Sequence, residues 1–213
     1  MPFSLLIFDY DGVLIDSLDS SISVGTEYCR SISHEQVPTK GIIEALDVAT
    51  YDELARSIGL SDDQVDKFCA YVFDRFQAIS PSMAFFPEIE SLLHRIASKN
   101  LAIVSGNAKN VITAKLAVYG LAGKITCIQG AFEPGDKTQK ILNACMHFEI
   151  DRRLACMIGD SASDIRYAKQ AGVQSIAVTW GFQSQDKLKG EKPDFIVSSV
   201  QELASLIDSE YSI

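Results

Sequence analysis

The stretch LLIFDYDG, residues 5–12, places a short apolar run directly before two acids and a glycine. A continuous apolar run that stops at turn residues is typical of a strand buried on both faces, as in a parallel sheet. Ligands of open parallel sheets bind beyond the carboxyl ends of the strands, which is where Asp9 and Asp11 stand. The stretch therefore predicts the first strand of such a sheet and a polar site at its end.

Further apolar runs repeat this pattern along the chain, and helical spacing separates them. The runs cover residues 101–104, 125–128, 154–158, 175–178 and 195–197. Strands that alternate with helices are typical of an α/β fold with an open parallel sheet. We predict a Rossmann-like, mostly parallel sheet with helices around it.

The interval between the first and second predicted strands breaks this alternation. Residues 16–82 contain helical patterns and no convincing strand; for example, Val65, Phe68, Val72 and Phe76 share one helical face. The alternatives are a separate helical lobe and a few surface helices packed on the sheet. Because the interval is too long for an ordinary crossover, we predict a separate helical lobe of residues 16–82 inserted into a core of residues 1–15 and 83–213.

The composition limits the partners of the chain. It has 19 Lys and Arg against 28 Asp and Glu, a net charge of −9, which argues against general binding of nucleic acids or anionic membranes. Its five cysteines are scattered without a Cys-x-x-Cys pair, as expected of reduced thiols. No apolar run approaches the roughly 20 residues of a membrane helix, and the first is too short for a signal peptide. We expect a soluble cytoplasmic protein that acts on a small molecule; the oligomeric state is not visible in the sequence.

Asp9 and Asp11 lie two residues apart on an extended segment, so both carboxylates project to the same side. Two acids so close repel each other unless a cation lies between them, and a hard ion such as Mg²⁺ prefers oxygen ligands. With the charge screened, one carboxylate can attack phosphorus while the other handles protons. Gly12 allows a sharp turn past a substrate, although an ordinary Asp-Gly turn is the alternative.

Two further clusters follow predicted strands and fit an anionic substrate. Ser105, Gly106 and Asn107 offer a hydroxyl and free backbone N–H groups where a strand leads into a helix; a simple helix N-cap is the alternative. Lys137 stands at a predicted helix start, where a cation is unfavourable unless an anion compensates it. A solvated surface lysine is the alternative there. Other lysines that could take this role are Lys109, Lys124 and Lys140.

The last cluster is GDSASD, residues 159–164, after the predicted fourth strand. Asp160 and Asp164 are one helical turn apart and can face a common point. That spacing suits one direct metal ligand and a second, supporting acid. All four clusters stand at predicted strand ends, and together they predict a phosphoryl-transfer site.

At these residues the chain resembles the haloacid dehalogenase superfamily and, within it, the phosphoglycolate-phosphatase-like phosphatases. DYDGV at residues 9–13 is similar to the first family motif, Ser105 to the second, Lys137 to the third, and Gly159-Asp160-x-x-x-Asp164 to the fourth. The segment VTWGF at residues 178–182 is also similar to the phosphoglycolate-phosphatase subgroup. The helical insertion resembles the family's small α-helical cap.

The resemblance implies a Mg²⁺-dependent phosphatase that hydrolyses a small phosphomonoester, either phosphoglycolate-like or a sugar phosphate. The intermediate would be an aspartyl-phosphate on Asp9, which would also bind the metal. Asp11 would protonate the leaving alcohol and then activate water. Its backbone carbonyl would also bind the metal. Asp160 would be the third protein ligand, with Asp164 supporting it. Residues expected to hold the phosphoryl group are Gly12, Ser105, Gly106 and Lys137.

Several alternatives within and outside the family stay open. Asp11 argues against dehalogenases and Gly159 against β-phosphoglucomutase-like mutases, but a phosphomutase, a pyrophosphatase or an inactive regulatory homologue remains an alternative to a phosphatase. A receiver domain is disfavoured by the helical insertion. Val13 and Thr138 depart from common phosphoglycolate-phosphatase patterns and weaken glycolate as the leaving group. Candidate contacts to the leaving group are Lys40, Tyr51, Arg56 and Arg75.

Overall fold

The computed structural model describes residues 3–210 of the 213-residue chain. Within that range a six-stranded sheet is parallel throughout, and its strands follow the order β3-β2-β1-β4-β5-β6. The strands are β1 Leu5–Phe8, β2 Leu101–Val104, β3 Cys127–Gln129, β4 Ala155–Gly159, β5 Gln174–Val178 and β6 Phe195–Val197. Strands β2 and β3 lie on one side of β1, and β4 to β6 lie on the other side. The carboxyl ends of β1, β2 and β4 therefore surround one crevice, where the strand order changes direction.

Helices connect these strands. They are α1 Leu18–Ser31, α2 Lys40–Ala45, α3 Tyr51–Ser57, α4 Asp62–Ile79, α5 Ile89–Arg95, α6 Lys109–Val118, α7 Lys137–His147, α8 Ala162–Ala171, α9 Gln185–Gly190 and α10 Val200–Glu210. No helix within residues 3–210 combines the length and apolarity that crossing a membrane requires. The predicted α/β class and parallel sheet are confirmed.

The strand bounds differ from the predicted ones where the sheet register decides them. The third strand begins at Cys127 and not at Ile125, because Cys127 pairs with Ala102 near the start of β2. Gly159, which was predicted to follow the fourth strand, is the last residue of β4 and pairs with Ala177. The short helix α9 has no counterpart in the sequence prediction.

Helices α1 to α4 form the insertion between β1 and β2. The expected apolar face of α4 is buried, and Phe68 on it packs edge to face against Tyr28 of α1, with ring centroids 5.4 Å apart. The chain leaves and re-enters the core through adjacent segments, because Ile15 bridges Phe85 in antiparallel fashion. Both connections thus run side by side beneath the insertion.

Three core side chains also attach to the insertion in the last turn of α2 and just after it. Gln183 donates to the Leu46 carbonyl at 2.8 Å, and Arg166 donates to the Asp47 carbonyl at 2.5 Å. Lys187 donates to the carbonyls of Glu44 and Leu46. Hydrogen bonds to charged donors are stronger than those between neutral groups, so this attachment favours the insertion's position over the sheet edge.

Candidate active site

Asp9 is the first residue beyond β1, and the backbone around it is fixed. Its N–H donates to the Ile158 carbonyl of β4 at 2.9 Å. The following loop folds back on itself, because the N–H groups of Leu14 and Ile15 both donate to the Tyr10 carbonyl at 2.9 Å. Gly12 has a φ of +76°, in the left-handed region that favours glycine, and a methyl group there would overlap the Asp160 carboxylate.

Lys137 is the first residue of α7 and bridges two acids. Its Nζ lies 2.7 Å from Asp9 Oδ2 and 2.5 Å from Asp164 Oδ1. Burial disfavours the ammonium, but attraction to Asp164 and Asp9 outweighs it and raises the pKa of Lys137 above its usual value. These acids supply the compensating charge that a lysine at a helix start requires.

Asp160 and Asp164 follow β4 and are held by different partners. Asp160 Oδ2 accepts a hydrogen bond of 2.7 Å from the Phe182 N–H. Asp164 belongs to a capping box of α8, in which its Oδ2 accepts from the Ser161 hydroxyl at 2.7 Å. Both carboxylates are buried and fixed before any ligand arrives.

The carboxylates of Asp9, Asp160 and Asp164 form one acidic cluster, with oxygens within 4.8 Å of one another. Burial raises the pKa of Asp9 to about 7. The positive charge of Lys137 lowers this pKa, and the negative charge of Asp164 raises it further. Burial, followed by repulsion from Asp164 and Asp9, raises the pKa of Asp160 well above its usual range. Three carboxylates therefore share one lysine, and their oxygens are the donor set that suits Mg²⁺.

The Asp11 side chain is held apart from this cluster. Its Oδ1 accepts from the Ser17 hydroxyl at 2.8 Å, and its Oδ2 accepts from Asn107 Nδ2 at 3.3 Å. Burial raises the pKa of Asp11 above its usual value, although the hydrogen bonds from Ser17 and Asn107 lower it. The two acids predicted as a pair thus have different surroundings: Asp9 contacts a lysine and Asp11 contacts neutral groups.

Ser105 and Gly106 stand beyond β2, beside the same crevice. The Ser105 hydroxyl accepts a 3.0 Å hydrogen bond from the Asn107 N–H, and its own N–H donates to the Gln129 carbonyl. Gly106 is exposed, and a methyl group there would meet nothing within 4 Å. Among the alternative lysines, Lys140 is buried and donates to the Gly130 carbonyl at 2.6 Å.

A cavity of about 470 Å³ lies between the sheet edge and the insertion. The predicted site residues that line it are Asp9, Asp11, Ser105, Gly106, Lys137, Asp160 and Asp164. Gly12 lies directly beneath, against Asp160. The structure therefore brings the predicted residues from the ends of β1, β2 and β4 and from the start of α7 to one place, under the insertion.

Comparison with known proteins decides the family. The family model described as haloacid dehalogenase-like hydrolase matches residues 6–178, which include all the predicted site residues. The chain belongs to the haloacid dehalogenase-like hydrolases.

Similar proteins match nearly the full length of this hydrolase. A phosphoglycolate phosphatase from Synechococcus elongatus is 26% identical over 205 residues, which are 95% of this chain and 96% of the relative. The pyrophosphatase PpaX from Anoxybacillus flavithermus is 23% identical over 97% of this chain and 98% of its own. A haloacid dehalogenase-like family hydrolase from Streptococcus pneumoniae has a similar structure, with a TM-score of 0.84 and 24% sequence identity. The match covers 96% of this chain and 98% of that protein's chain.

These matches confirm the predicted family and the likeness to its phosphoglycolate-phosphatase-like members. The prediction that the chain is an enzyme, a phosphatase, is confirmed with them. The structural likeness at 24% identity concerns the fold.

Sequence reasoning named Asn107 and Gly181 without predicting that they contact an acid of this hydrolase, and it missed Ser17. Ser17 and Asn107 hold Asp11, and Gly181 lies against Asp160. Asn107 carried a signal, because it stands two residues after Ser105 at a strand end. Ser17 carried none, since its contact depends on how the loop after Asp11 folds back.

Gly181→Ala is expected to lower the free energy of unfolding by about 1–3 kcal/mol, measured by urea denaturation. A methyl group there would overlap Asp160 and the Gly12 carbonyl, and backbone cannot rotate away. Gly190→Ala is the control, because its methyl group would meet nothing within 4 Å. A destabilisation no larger in Gly181→Ala than in Gly190→Ala would show that Asp160 is not tightly enclosed.

Proposed function

We propose that this protein is a Mg²⁺-dependent phosphatase that hydrolyses small phosphomonoesters through a phosphoryl group carried on Asp9. The observation that carries the proposal is the contact of Lys137 with Asp9, at 2.7 Å, on the floor of the cavity. It puts a cation beside the carboxylate that would receive the phosphoryl group. In this proposal residues 1–15 and 83–213 are the catalytic core, and residues 16–82 are the cap.

The donor set for Mg²⁺ would be Asp9, Asp160 and the backbone carbonyl of Asp11, with Asp164 supporting. Bound there, the ion would neutralise carboxylate charge and polarise the phosphoryl oxygens. Support comes from the three carboxylates that share Lys137 and from the absence of His and Cys from this cluster among the described residues.

In the first half of the reaction Asp9 forms the new bond to phosphorus. One carboxylate oxygen attacks, and the bond between phosphorus and the leaving oxygen breaks. Asp11 gives its proton to that oxygen, so an alcohol departs. The raised pKa of Asp11, caused by burial, keeps more of this acid protonated near neutral pH than an exposed aspartate would be.

In the second half water replaces the carboxylate. Asp11, now ionised, accepts a proton from a water molecule whose oxygen attacks phosphorus, and the bond to Asp9 breaks. Free phosphate leaves and both acids return to their starting states. The hydrogen bonds of Asp11 to Ser17 and Asn107 hold its carboxylate in place through both steps.

Ser105, the backbone at Gly106, and Lys137 are proposed to hold the phosphoryl oxygens. Lys137 is fixed from the opposite side by Asp164 at 2.5 Å, and Asp164 is fixed by Ser161. A donor that needs no reorganisation stabilises the charge that develops in the transition state more than a mobile one. Gly12, below the cluster, leaves room for Asp160.

The proposal extends to the partner and the compartment. The partner is a small phosphorylated metabolite, and the location is the cytoplasm. Five free cysteines, four of them buried, support a reducing compartment.

Phosphate release from simple phosphomonoesters tests the proposed function. We expect activity to fall to background with a chelator and to return when Mg²⁺ is added, because oxygen donors need the metal to offset their charge. Asp160→Asn should need a Mg²⁺ concentration about 10–100-fold higher, since one ligand loses its charge. Asp194→Asn, at an aspartate bonded to Ser175 away from the cluster, is the control. Unchanged turnover in the chelator would refute the metal dependence.

A further inference from the structure

The upper wall of the cavity belongs to the insertion and is mainly apolar. Side chains from α2, α3 and α4 and the segments between them face the acids across it, and Phe73 and Phe76 contribute two aromatic rings. Other apolar members are Ile43, Leu46 and Leu54. A volume of about 470 Å³ lies within the range of about 300–1,000 Å³ typical of small-molecule sites, and it is larger than a two-carbon leaving group needs.

The charged groups on this wall do not suit an anion. Asp52 lines the cavity, whereas none of the lysines or arginines described between residues 16 and 82 does. Arg56 is paired with Asp52 at 2.7 Å, and Arg75 is paired with Glu27 at 3.1 Å. Arg56 and Arg75, predicted as contacts to an anionic leaving group, are therefore each paired with an acid. Lys40, predicted for the same role, is exposed and does not line the cavity.

Both lysines on the core side of the cavity are also engaged. Lys137 lies between Asp9 and Asp164, where it would meet the phosphoryl group. Lys140 is buried and donates to the Gly130 carbonyl. A second negative charge on the substrate would thus lie among apolar groups and acids without a free cation.

The polar groups that remain on the wall are neutral hydroxyls. Tyr51 shares a 3.2 Å hydrogen bond with Ser21, and the Ser21 hydroxyl donates to the Ser17 carbonyl at 3.0 Å. Tyr51 also packs against Phe76, with ring centroids 5.6 Å apart. An amphipathic wall of this kind suits a ligand that has an apolar face and an uncharged polar group.

Resting on the phosphatase function above, we propose that the leaving group is an uncharged alcohol with an apolar face. A leaving group that carries a carboxylate or a second phosphate is disfavoured, because an anion buried in an apolar site without a cationic partner loses its hydration and gains no compensating interaction. This preference arises from the apolar wall, from Asp52, and from the engagement of Lys137 and Lys140 by groups of the protein. Phosphoglycolate and pyrophosphate are therefore poor substrates of this protein.

A matched pair of phosphonates tests the proposal, since their carbon–phosphorus bond is not hydrolysed. Benzylphosphonate and 4-carboxybenzylphosphonate differ by one carboxylate at the far end of the ring. In calorimetric titrations with Mg²⁺ present, we expect the carboxylated compound to bind at least about tenfold more weakly. The corresponding benzyl phosphates should show the same order in kcat/KM.

Asp52→Asn identifies the wall that causes the difference. Removing this charge, which also releases Arg56, should reduce the ratio of the two Kd values by about three- to tenfold. Asp63→Asn is the matched control, because Asp63 pairs with Lys67 at the same 2.7 Å and the same i,i+4 spacing but does not line the cavity.

The outcomes separate this inference from the proposed function. Equal binding of the two phosphonates, tighter binding of the carboxylated one, or binding of neither would overturn the inference. So would an equal change of the ratio in Asp52→Asn and Asp63→Asn. If benzylphosphonate is preferred but benzyl phosphate releases no phosphate, the selectivity of the cavity stands and the proposed phosphatase reaction fails.

Discussion

Asp9→Asn is expected to reduce phosphate release by about 10⁴-fold or more, because an amide oxygen is a poor nucleophile and no neighbouring acid occupies its position. Asp11 cannot replace it, since Ser17 and Asn107 hold that carboxylate apart. Rapid acid quench followed by intact-mass measurement should show a phosphoryl adduct in the unmodified protein. The variant should show none.

Unfolding would not explain this loss. Asparagine has the shape of aspartate, and its side-chain oxygen can still accept a hydrogen bond from Lys137, which Asp164 also holds. We expect a melting temperature close to that of the unmodified protein. Asp19→Asn, at an exposed acid in the first turn of α1, is the activity control. A phosphoryl adduct retained in Asp9→Asn, on another residue, would assign the nucleophile elsewhere.

Asp11→Asn is expected to lower kcat by about 10²–10⁴-fold for alkyl phosphates, since the amide can neither give a proton to the leaving alkoxide nor take one from water. The phosphoryl adduct on Asp9 should then accumulate whenever its hydrolysis slows more than its formation. For p-nitrophenyl phosphate, whose leaving group departs without a proton, formation of the adduct should be nearly unaffected.

Single-turnover experiments with an alkyl phosphate and with p-nitrophenyl phosphate measure this difference in the rate of adduct formation. Ser17→Ala is an intermediate case, because it removes one hydrogen bond from Asp11 and leaves the carboxylate. An equal loss for both leaving groups during adduct formation would show that Asp11 does not act as the acid in that step.

The sheet and the place of the site could be predicted because both follow from local sequence. A strand such as Leu5–Phe8, buried on both faces, must be apolar throughout, and its polar continuation marks the ligand-binding edge. Lys137 was predictable for a related reason: a lysine at a helix start needs an anion. The helical character of residues 18–79 followed from the spacing of their apolar side chains.

Contacts that depend on packing between distant segments could not be predicted. The separation of Asp9 from Asp11 arises from Ser17 and Asn107, which the folded loop and β2 bring in from different directions. The start of β3 at Cys127 depends on where β2 offers partners. The engagement of Arg56 and Arg75 in ion pairs depends on the arrangement of the insertion, so composition alone left open what its cavity binds.

The attachment after α2 has a consequence for how this enzyme can diversify. Gln183, Arg166 and Lys187 all donate to main-chain carbonyls, which every amino acid possesses. Leu46 can therefore be exchanged for a residue of another size or polarity while its carbonyl still accepts the same hydrogen bonds. Because Leu46 also lines the cavity, new substrate preferences can arise there by single substitutions that leave the two parts of the molecule joined.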